Sequence, residues 1–227
     1  MGEIEVQDHI ADYYVEKRYK SLGLKYHSQI IKEMMEGLDG TILDVGCGIG
    51  IIPSLYPALD IWGIDISNEM LRHHRFKRFR CSAEEIFFCD GSFDAVVCRS
   101  VLHHLPNPDV AMKEIVRVLK PGGKFVCWET NKSWLATLVR RFTQHGDHFS
   151  DYHTAFDNLP LLIGDYLKIN SVEYQGYLAY PAFGFPDIID FSHFLGFAFK
   201  PLLAFDKVLS HSPLKRLGFA VMIKATK

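Results

Sequence analysis

The sequence predicts an α/β domain with a mostly parallel sheet and helices on both faces. Three observations carry this. Short apolar runs, rich in β-branched residues, alternate with helical patterns. One run, ILDV, passes directly into the glycines of GCGIG. The chain has 227 residues, 48% hydrophobic and 23% charged, a globular composition for one domain of ordinary size.

In chain order, residues 8–19 and 23–37 predict two helices. Ile10, Tyr13 and Tyr14 share a face of the first, and Ile30, Ile31, Met34 and Leu38 line the second. TILDV at 41–45 and DIWGID at 60–65 read as buried strands. Ser67 caps the next helix, with Glu69 in its first turn. FDAVVC at 93–98 is a third strand. From Asp109, Met112, Ile115, Val116 and Leu119 recur at helical spacing until Pro121-Gly122-Gly123 turns the chain. KFVCWE at 124–129 is the next strand. Further on come a helix near 154–167, a strand near 169–178 and a last strand, LGFAVMIKA, at 217–225. The aromatic stretch at 182–211 falls between the last two. It reads as a cap over the cleft, with Ile188, Phe191, Leu195 and Ala198 on one face and Pro201 bending or ending the helix. Lining an apolar pocket and a homodimer contact are its other readings.

Lys plus Arg number 25 and Asp plus Glu 27, a net charge of −2, so no global field attracts nucleic acid. The run RHHRFKRFR at 72–80 suits phosphate, RNA or anionic lipid, or is a basic solvated helix anchored by Phe76 and Phe79. The polar start predicts no signal or transit peptide, and no apolar run approaches the roughly 20 residues of a bilayer span. Five scattered cysteines without a C-x-x-C pair fit a reducing cytoplasm.

The chemistry concentrates at residues 42–50. A P-loop needs Lys and Ser/Thr after its last glycine, and a dinucleotide fingerprint needs glycine where Ile51 stands. A third reading is a cationic nucleoside held near Asp44; a bland strand-to-helix turn is the fourth. Asp65 ends the second strand, where an acid can accept hydrogen bonds from ribose hydroxyls or cap the helix.

LDVGCGIG, WGIDIS at 62–67, SAEEIFFCDGSFDAVV at 82–97 and VLHHLPNPDVAMKEIVRVLKPGGKFV at 101–126 resemble, in order and spacing, the class I S-adenosylmethionine-dependent methyltransferases, type 11 (UbiE-like) branch. The resemblance covers about residues 41–129. It implies a seven-stranded, Rossmann-like, mostly parallel sheet with the last strand antiparallel. Residues 1–39 would be helices closing over the cofactor, 40–177 and 217–227 the core, and 178–216 a small helical cap. It also implies that Asp44 and the turn Gly46, Cys47, Gly48 hold the methionine part of S-adenosylmethionine. Asp65 would bind the ribose, Ile66 would pack on the adenine, and Ser82 and Ala83 would read its edge. Arg99 stands where main chain meets the amino-acid group. Many members carry Asp where this chain has Ser82, a weaker acceptor.

Methyl transfer needs nucleophile, methyl and sulfur in line, and an oxygen nucleophile also benefits from a base. His103 and His104 follow the third strand-like run, and His104 is the candidate base. The loop with His145, Asp147, His148, Tyr152 and His153 reads as a metal site, a base with its orienting acid, or a solvated loop that covers substrate; its spacing matches no standard zinc pattern, so no metal is expected. The expected activity is O-methylation of a small, aromatic or apolar acceptor. The alternatives are an RNA or protein methyltransferase using 72–80, and a non-catalytic S-adenosylmethionine-binding protein.

Overall fold

The computed structural model describes residues 2–13, 22–143, 156–184 and 196–227. The helices are α1 (Glu3–Tyr13), α2 (Leu22–Met35), α3 (Ile51–Leu55), α4 (Asn68–His73), α5 (Pro108–Val118), α6 (Trp134–Thr143), α7 (Leu159–Gly164) and α8 (Phe199–Ser210). The strands are β1 (Thr41–Val45), β2 (Asp60–Asp65), β3 (Arg78–Arg80), β4 (Phe93–Arg99), β5 (Leu119–Thr130), β6 (Lys168–Gln175) and β7 (Ala220–Thr226). They form one seven-stranded sheet in the order β3-β2-β1-β4-β5-β7-β6. The pairs among β1 to β5 are parallel, and β7 runs antiparallel to both β5 and β6.

This order places the site. The chain winds outward from β1 to β3, then returns to the other side of β1 as β4. The strand order reverses there, opening a crevice at the C-terminal ends of β1 and β4.

Both faces of the central strands are buried, which is why β1, β4 and β7 are apolar at consecutive positions. Leu43, Val45, Ile64, Val96, Cys98, Phe125 and Cys127 pack with Met112, Ile115 and Val118 of α5. Ile42, Ile61, Val97, Val126 and Trp128 pack with Ile31 and Met34 of α2 and with Phe183 and Phe199. Successive strand residues face opposite sides. Asp44, Asp65 and Arg99 therefore share the face of Ile42, Ile61 and Val97, while Glu129 shares that of Phe125 and Cys127.

The sequence expectations need several corrections. α1 starts at Glu3, five residues before the predicted start. Its buried residues include Val6 and Ala11; Tyr14 and the side chains of Ile10 and Tyr13 lie outside the description. The 72–80 run is not one helix: α4 ends at His73, and 78–80 is an exposed edge strand. Phe79 is a strand residue stacked on Trp62 with centroids 5.7 Å apart, not a helix anchor beside Phe76. Pro121-Gly122-Gly123 does not precede β5 but sits within it. Leu119 already pairs with Phe93, and the strand bulges before Lys124 meets Ala95. α7 is shorter than the predicted 154–167, and Asn158 caps it through Leu161 N–H at 3.4 Å. Pro201 lies in the first turn of α8, where no helical N–H is lost, so it neither bends nor ends it.

In the described part of the aromatic stretch Phe183 and Phe199 pack inward, whereas Phe197, Phe205 and Val208 are exposed. Phe183 meets Phe199 at 5.1 Å, and the neighbouring Tyr180 meets Trp128 at 5.5 Å. Asp206 of α8 is buried and accepts the backbone N–H groups of Tyr177 (3.0 Å), Leu178 (2.8 Å) and Ala179 (3.2 Å), tying the helix to the chain leaving β6. Ile188, Phe191 and Leu195 lie outside the described residues, as does the loop with His145, Asp147, His148, Tyr152 and His153. No helix among the described residues is long and apolar enough to cross a membrane.

Candidate active site

The site is built on the turn between β1 and α3. Gly46 N–H and Cys47 N–H both donate to the Ile64 carbonyl, at 2.8 and 3.0 Å, bending the chain over the end of β2. Gly46 has φ +68°, and a Cβ there would lie 2.1 Å from Val101 Cγ2, so the turn must be glycine to meet the loop after β4. Gly50, at φ +79°, is pressed against His74: a Cβ would lie 2.7 Å from Cδ2 of the ring. The Cys47 side chain is buried beside Gly63, and burial raises its thiol pKa well above the ordinary value. Cys47 thus brings backbone to the turn, not a reactive thiolate.

Two aspartates close the ends of neighbouring strands. The Asp65 carboxylate is pinned by backbone: Oδ2 accepts from Gly48 N–H at 2.8 Å and Oδ1 from Ser67 N–H at 2.9 Å. Each oxygen keeps a lone pair, so the carboxylate is oriented but not saturated. Burial raises its pKa despite these two N–H groups. The helix cap is Ser67, whose Oγ accepts from Met70 N–H at 3.0 Å. Ser67, not Asp65, therefore carries the capping role weighed for the acid.

Asp44 differs. It is 2% exposed, and its Oδ2 has no hydrogen-bond partner among the described residues. Burial pushes its carboxyl up to about 7; the Arg99 guanidinium opposes this, and the Asp65 carboxylate adds to it. A buried carboxylate with an unsatisfied oxygen is costly unless a cation or donor arrives. This is the observation that tests the fit of an ammonium- and sulfonium-bearing nucleoside, and the residues pass it.

Ile66 and Ser82 are half-buried and Ala83 is buried, beside the ends of β2 and β3. Ser82 Oγ accepts from Glu84 N–H at 3.1 Å, closing its own turn. Cys81 N–H donates to the Asp65 carbonyl at 2.9 Å, which joins this segment to the strand end. The structure therefore gathers Asp44, Gly46, Cys47, Gly48, Asp65, Ile66, Ser82, Ala83 and Arg99 around one end of the sheet.

The loop after β4 rests on a residue absent from the sequence expectations. Glu129, fully buried in β5, accepts from Val101 N–H at 2.8 Å and Leu102 N–H at 2.9 Å, and its Oε2 lies 2.6 Å from His103 Nδ1. Burial pushes its carboxyl up to about 7, against the pull of those N–H groups and the nearby His104. Ser100, just before this clamp, has φ +58°, an uncommon conformation outside glycine that the surrounding bonds maintain. A signal existed: a doubly buried strand, FVCW, ends in an acid. His103 serves this clamp. The His104 ring lies against it at a tilt, with centroids 4.1 Å apart, and its Nδ1 stands 3.1 Å from Glu3 Oε1 of α1.

α1 lies across this end of the sheet. Val6 and Ala11 pack with Met70, and with Ile49 of the glycine turn. Asp8 Oδ1 accepts from Ser67 Oγ–H. The helix thus joins α4 on one side to His104 on the other.

Comparison with known proteins agrees with this arrangement. Residues 43–127 match the family model described as a methyltransferase domain. The chain is 29% identical over 175 residues to a demethylmenaquinone methyltransferase of Staphylococcus carnosus, covering 71% of this chain and 68% of that protein. These likenesses support a class I S-adenosylmethionine-dependent methyltransferase of the type 11 branch. Its cofactor is S-adenosylmethionine, and its relatives are small-molecule methyltransferases. It is also 30% identical over 125 residues to a ubiquinone biosynthesis O-methyltransferase of Idiomarina loihiensis, covering 48% of this chain but only 51% of that protein. A Thermotoga maritima structure described as a possible histamine N-methyltransferase superposes with TM-score 0.70 at 17% identity, covering 98% of this methyltransferase and 99% of that chain. At that identity the likeness speaks for the fold.

Proposed function

We propose that this methyltransferase moves a methyl group from S-adenosylmethionine to an oxygen of a small aromatic or apolar acceptor. The observation that carries the reading is Asp44 Oδ2, buried and without a partner, at the strand end beside a backbone-pinned Asp65.

Asp44, Arg99 and the main chain at Gly46, Cys47 and Gly48 hold the amino-acid end of the cofactor. Asp65 takes the ribose hydroxyls, Ile66 packs on the adenine, and Ser82 with Ala83 meets its edge. α1 and α2 close over this cradle, and the segment 178–216 caps the acceptor side. When bound, the cofactor supplies a sulfonium methyl: the acceptor oxygen forms the new C–O bond, the C–S pair stays on sulfur, and the acceptor proton leaves to a base. His104 is that base. Relatives named for demethylmenaquinone and ubiquinone biosynthesis support a quinone-related ring as the acceptor class.

The test uses hydroquinone and catechol acceptors with isotopically labelled S-adenosylmethionine and mass spectrometry of the product. An O-methyl product from wild type, with turnover falling about 100-fold in His104→Ala while S-adenosylhomocysteine affinity holds, supports the reading. Equal turnover in the variant removes His104 from the mechanism, and a C-methyl product removes oxygen as the acceptor atom.

A further inference from the structure

A second polar group on the sheet face of Asp44 is buried without a partner. Thr130 ends β5 and is 7% exposed, and its Oγ has no hydrogen-bond partner among the described residues. The polar side chains beside it in sequence are satisfied by the fold. Glu129 accepts from Val101 and Leu102 N–H. Asn131 Nδ2 donates to the carbonyls of Arg216 at 3.1 Å and Gly218 at 2.8 Å, and Ser133 Oγ donates to that of Leu217 at 3.0 Å. The strand pairing explains the exception. Opposite Thr130 in β7 stands Ala220, whose methyl offers neither donor nor acceptor. On the other flank the pairing with β4 stops at Arg99, opposite Trp128. The chain then turns away at Ser100, whose N–H donates to the Trp128 carbonyl at 2.9 Å. Thr130 is two residues beyond Trp128 and so lies on the same face, the face of Arg99 and Asp44. In the sheet β4 separates β1 from β5. Asp44 and Thr130 therefore flank β4 from its two sides, towards the strand ends where open α/β sheets bind ligands.

We propose that Thr130 is an acceptor-binding residue: its Oγ–H donates to an oxygen of the acceptor ring other than the atom being methylated. The inference rests on the reading of the acceptor as a small oxygen-bearing ring. The residues proposed for the cofactor run along the sheet from Ser82 and Ala83 after β3, through Asp65 on β2, to Asp44 on β1. That leaves the β4 and β5 side of the crevice to the acceptor. The surroundings of Thr130 are apolar, since Trp128, Phe219 and Ala220 belong to one buried cluster. One placed hydroxyl in an apolar wall fixes the orientation of a ring that packing alone would leave free to turn. The same hydroxyl discriminates, because a ring without the second oxygen leaves the donor unpaired.

Thr130→Val keeps the branched shape and removes the hydroxyl, whereas Thr130→Ser keeps the hydroxyl. Calorimetric titration of catechol and of phenol into the protein saturated with S-adenosylhomocysteine reads the contact, because phenol lacks the second oxygen. Wild type is expected to bind catechol about tenfold tighter than phenol. Thr130→Ser should keep most of that preference. Thr130→Val should lose it while its affinity for S-adenosylhomocysteine holds. Without any ligand, Thr130→Val should melt at or above the wild-type temperature, since a buried hydroxyl without a partner costs the fold. Equal wild-type affinities for the two rings, a Val variant that keeps the preference, or one that melts clearly below wild type overturns the assignment. The first two mean that the hydroxyl does not meet the ring, and the third that it has a partner in the fold. A wild type that binds neither ring overturns the ring reading of the acceptor, and the inference with it, so the two failures read differently.

Discussion

Asp44 in β1 and Asp206 in α8 are both buried aspartates, and they are treated differently. Asp206 accepts three backbone N–H groups and ties α8 to the chain that leaves β6. Asp44 sits at the end of β1 with one oxygen unmatched, beside an Asp65 that backbone holds without saturating. Burial raises the pKa of all three. The difference separates an acid satisfied by the fold from one that we propose binds a ligand. An acid that holds a fold together is satisfied by the fold, whereas one that receives a cation is left incomplete until the cation binds.

The largest effect is expected at Asp65. Asp65→Ala should weaken S-adenosylhomocysteine binding at least 100-fold, about 3 kcal/mol, by isothermal calorimetry. It removes the proposed ribose acceptor and the carboxylate that accepts from Gly48 N–H. Affinity within threefold of wild type would dismiss the assignment.

Asp206→Ala should do the reverse. Three N–H groups, those of Tyr177 and Ala179 buried and that of Leu178 part-buried, lose their acceptor, at about 1–3 kcal/mol for each one that water does not reach. Chemical denaturation should show a loss of about 3 kcal/mol, with the affinity of the remaining folded protein within a few-fold of wild type. A large affinity loss at unchanged stability would make Asp206 part of the ligand site and end the contrast.

A smaller effect follows from the raised carboxyls. Asp44 and Glu129 both titrate near 7 in the folded protein, above their ordinary values of 3.8 and 4.5. The folded state therefore binds more protons than the unfolded chain between those limits. Their contribution to stability is fully present below the ordinary values and is lost as pH rises through about 7. The ligand-free protein should melt at lower temperature at pH 8 than at pH 5.5, and Asp44→Asn should reduce that difference. A wild-type midpoint that rises over this interval, with the Asn variant rising equally, would contradict the sign.

Most of the sheet was legible because its strands are short apolar runs with clear breaks. ILDV ends in glycines and DIWGID in an acid, so both the strand and its functional tip are local in sequence. β3 was not legible: its three residues, Arg78, Phe79 and Arg80, are all exposed, so no alternation marks them. The bulge in β5 escaped notice because Pro-Gly-Gly ordinarily ends an element, and only pairing with β4 carries the strand through it. Glu129 and Glu3 were missed for a related reason. Their partners are 26 to 101 positions away, Val101 to His103 for the first and His104 for the second. Periodicity reports which face a residue lies on, not which distant loop it meets.

The measurement that bears most directly on the contrast is a calorimetric titration of S-adenosylhomocysteine into wild type and Asp44→Asn between pH 5.5 and 8.5. The ligand's ammonium group favours the ionised form of Asp44, so wild-type affinity should rise about tenfold per pH unit below about 7 and level off above it. Asp44→Asn should bind about tenfold more weakly than wild type at pH 8 and show little of that slope. A flat wild-type profile, or one that Asp44→Asn reproduces, would mean that the unmatched oxygen does not receive the ligand.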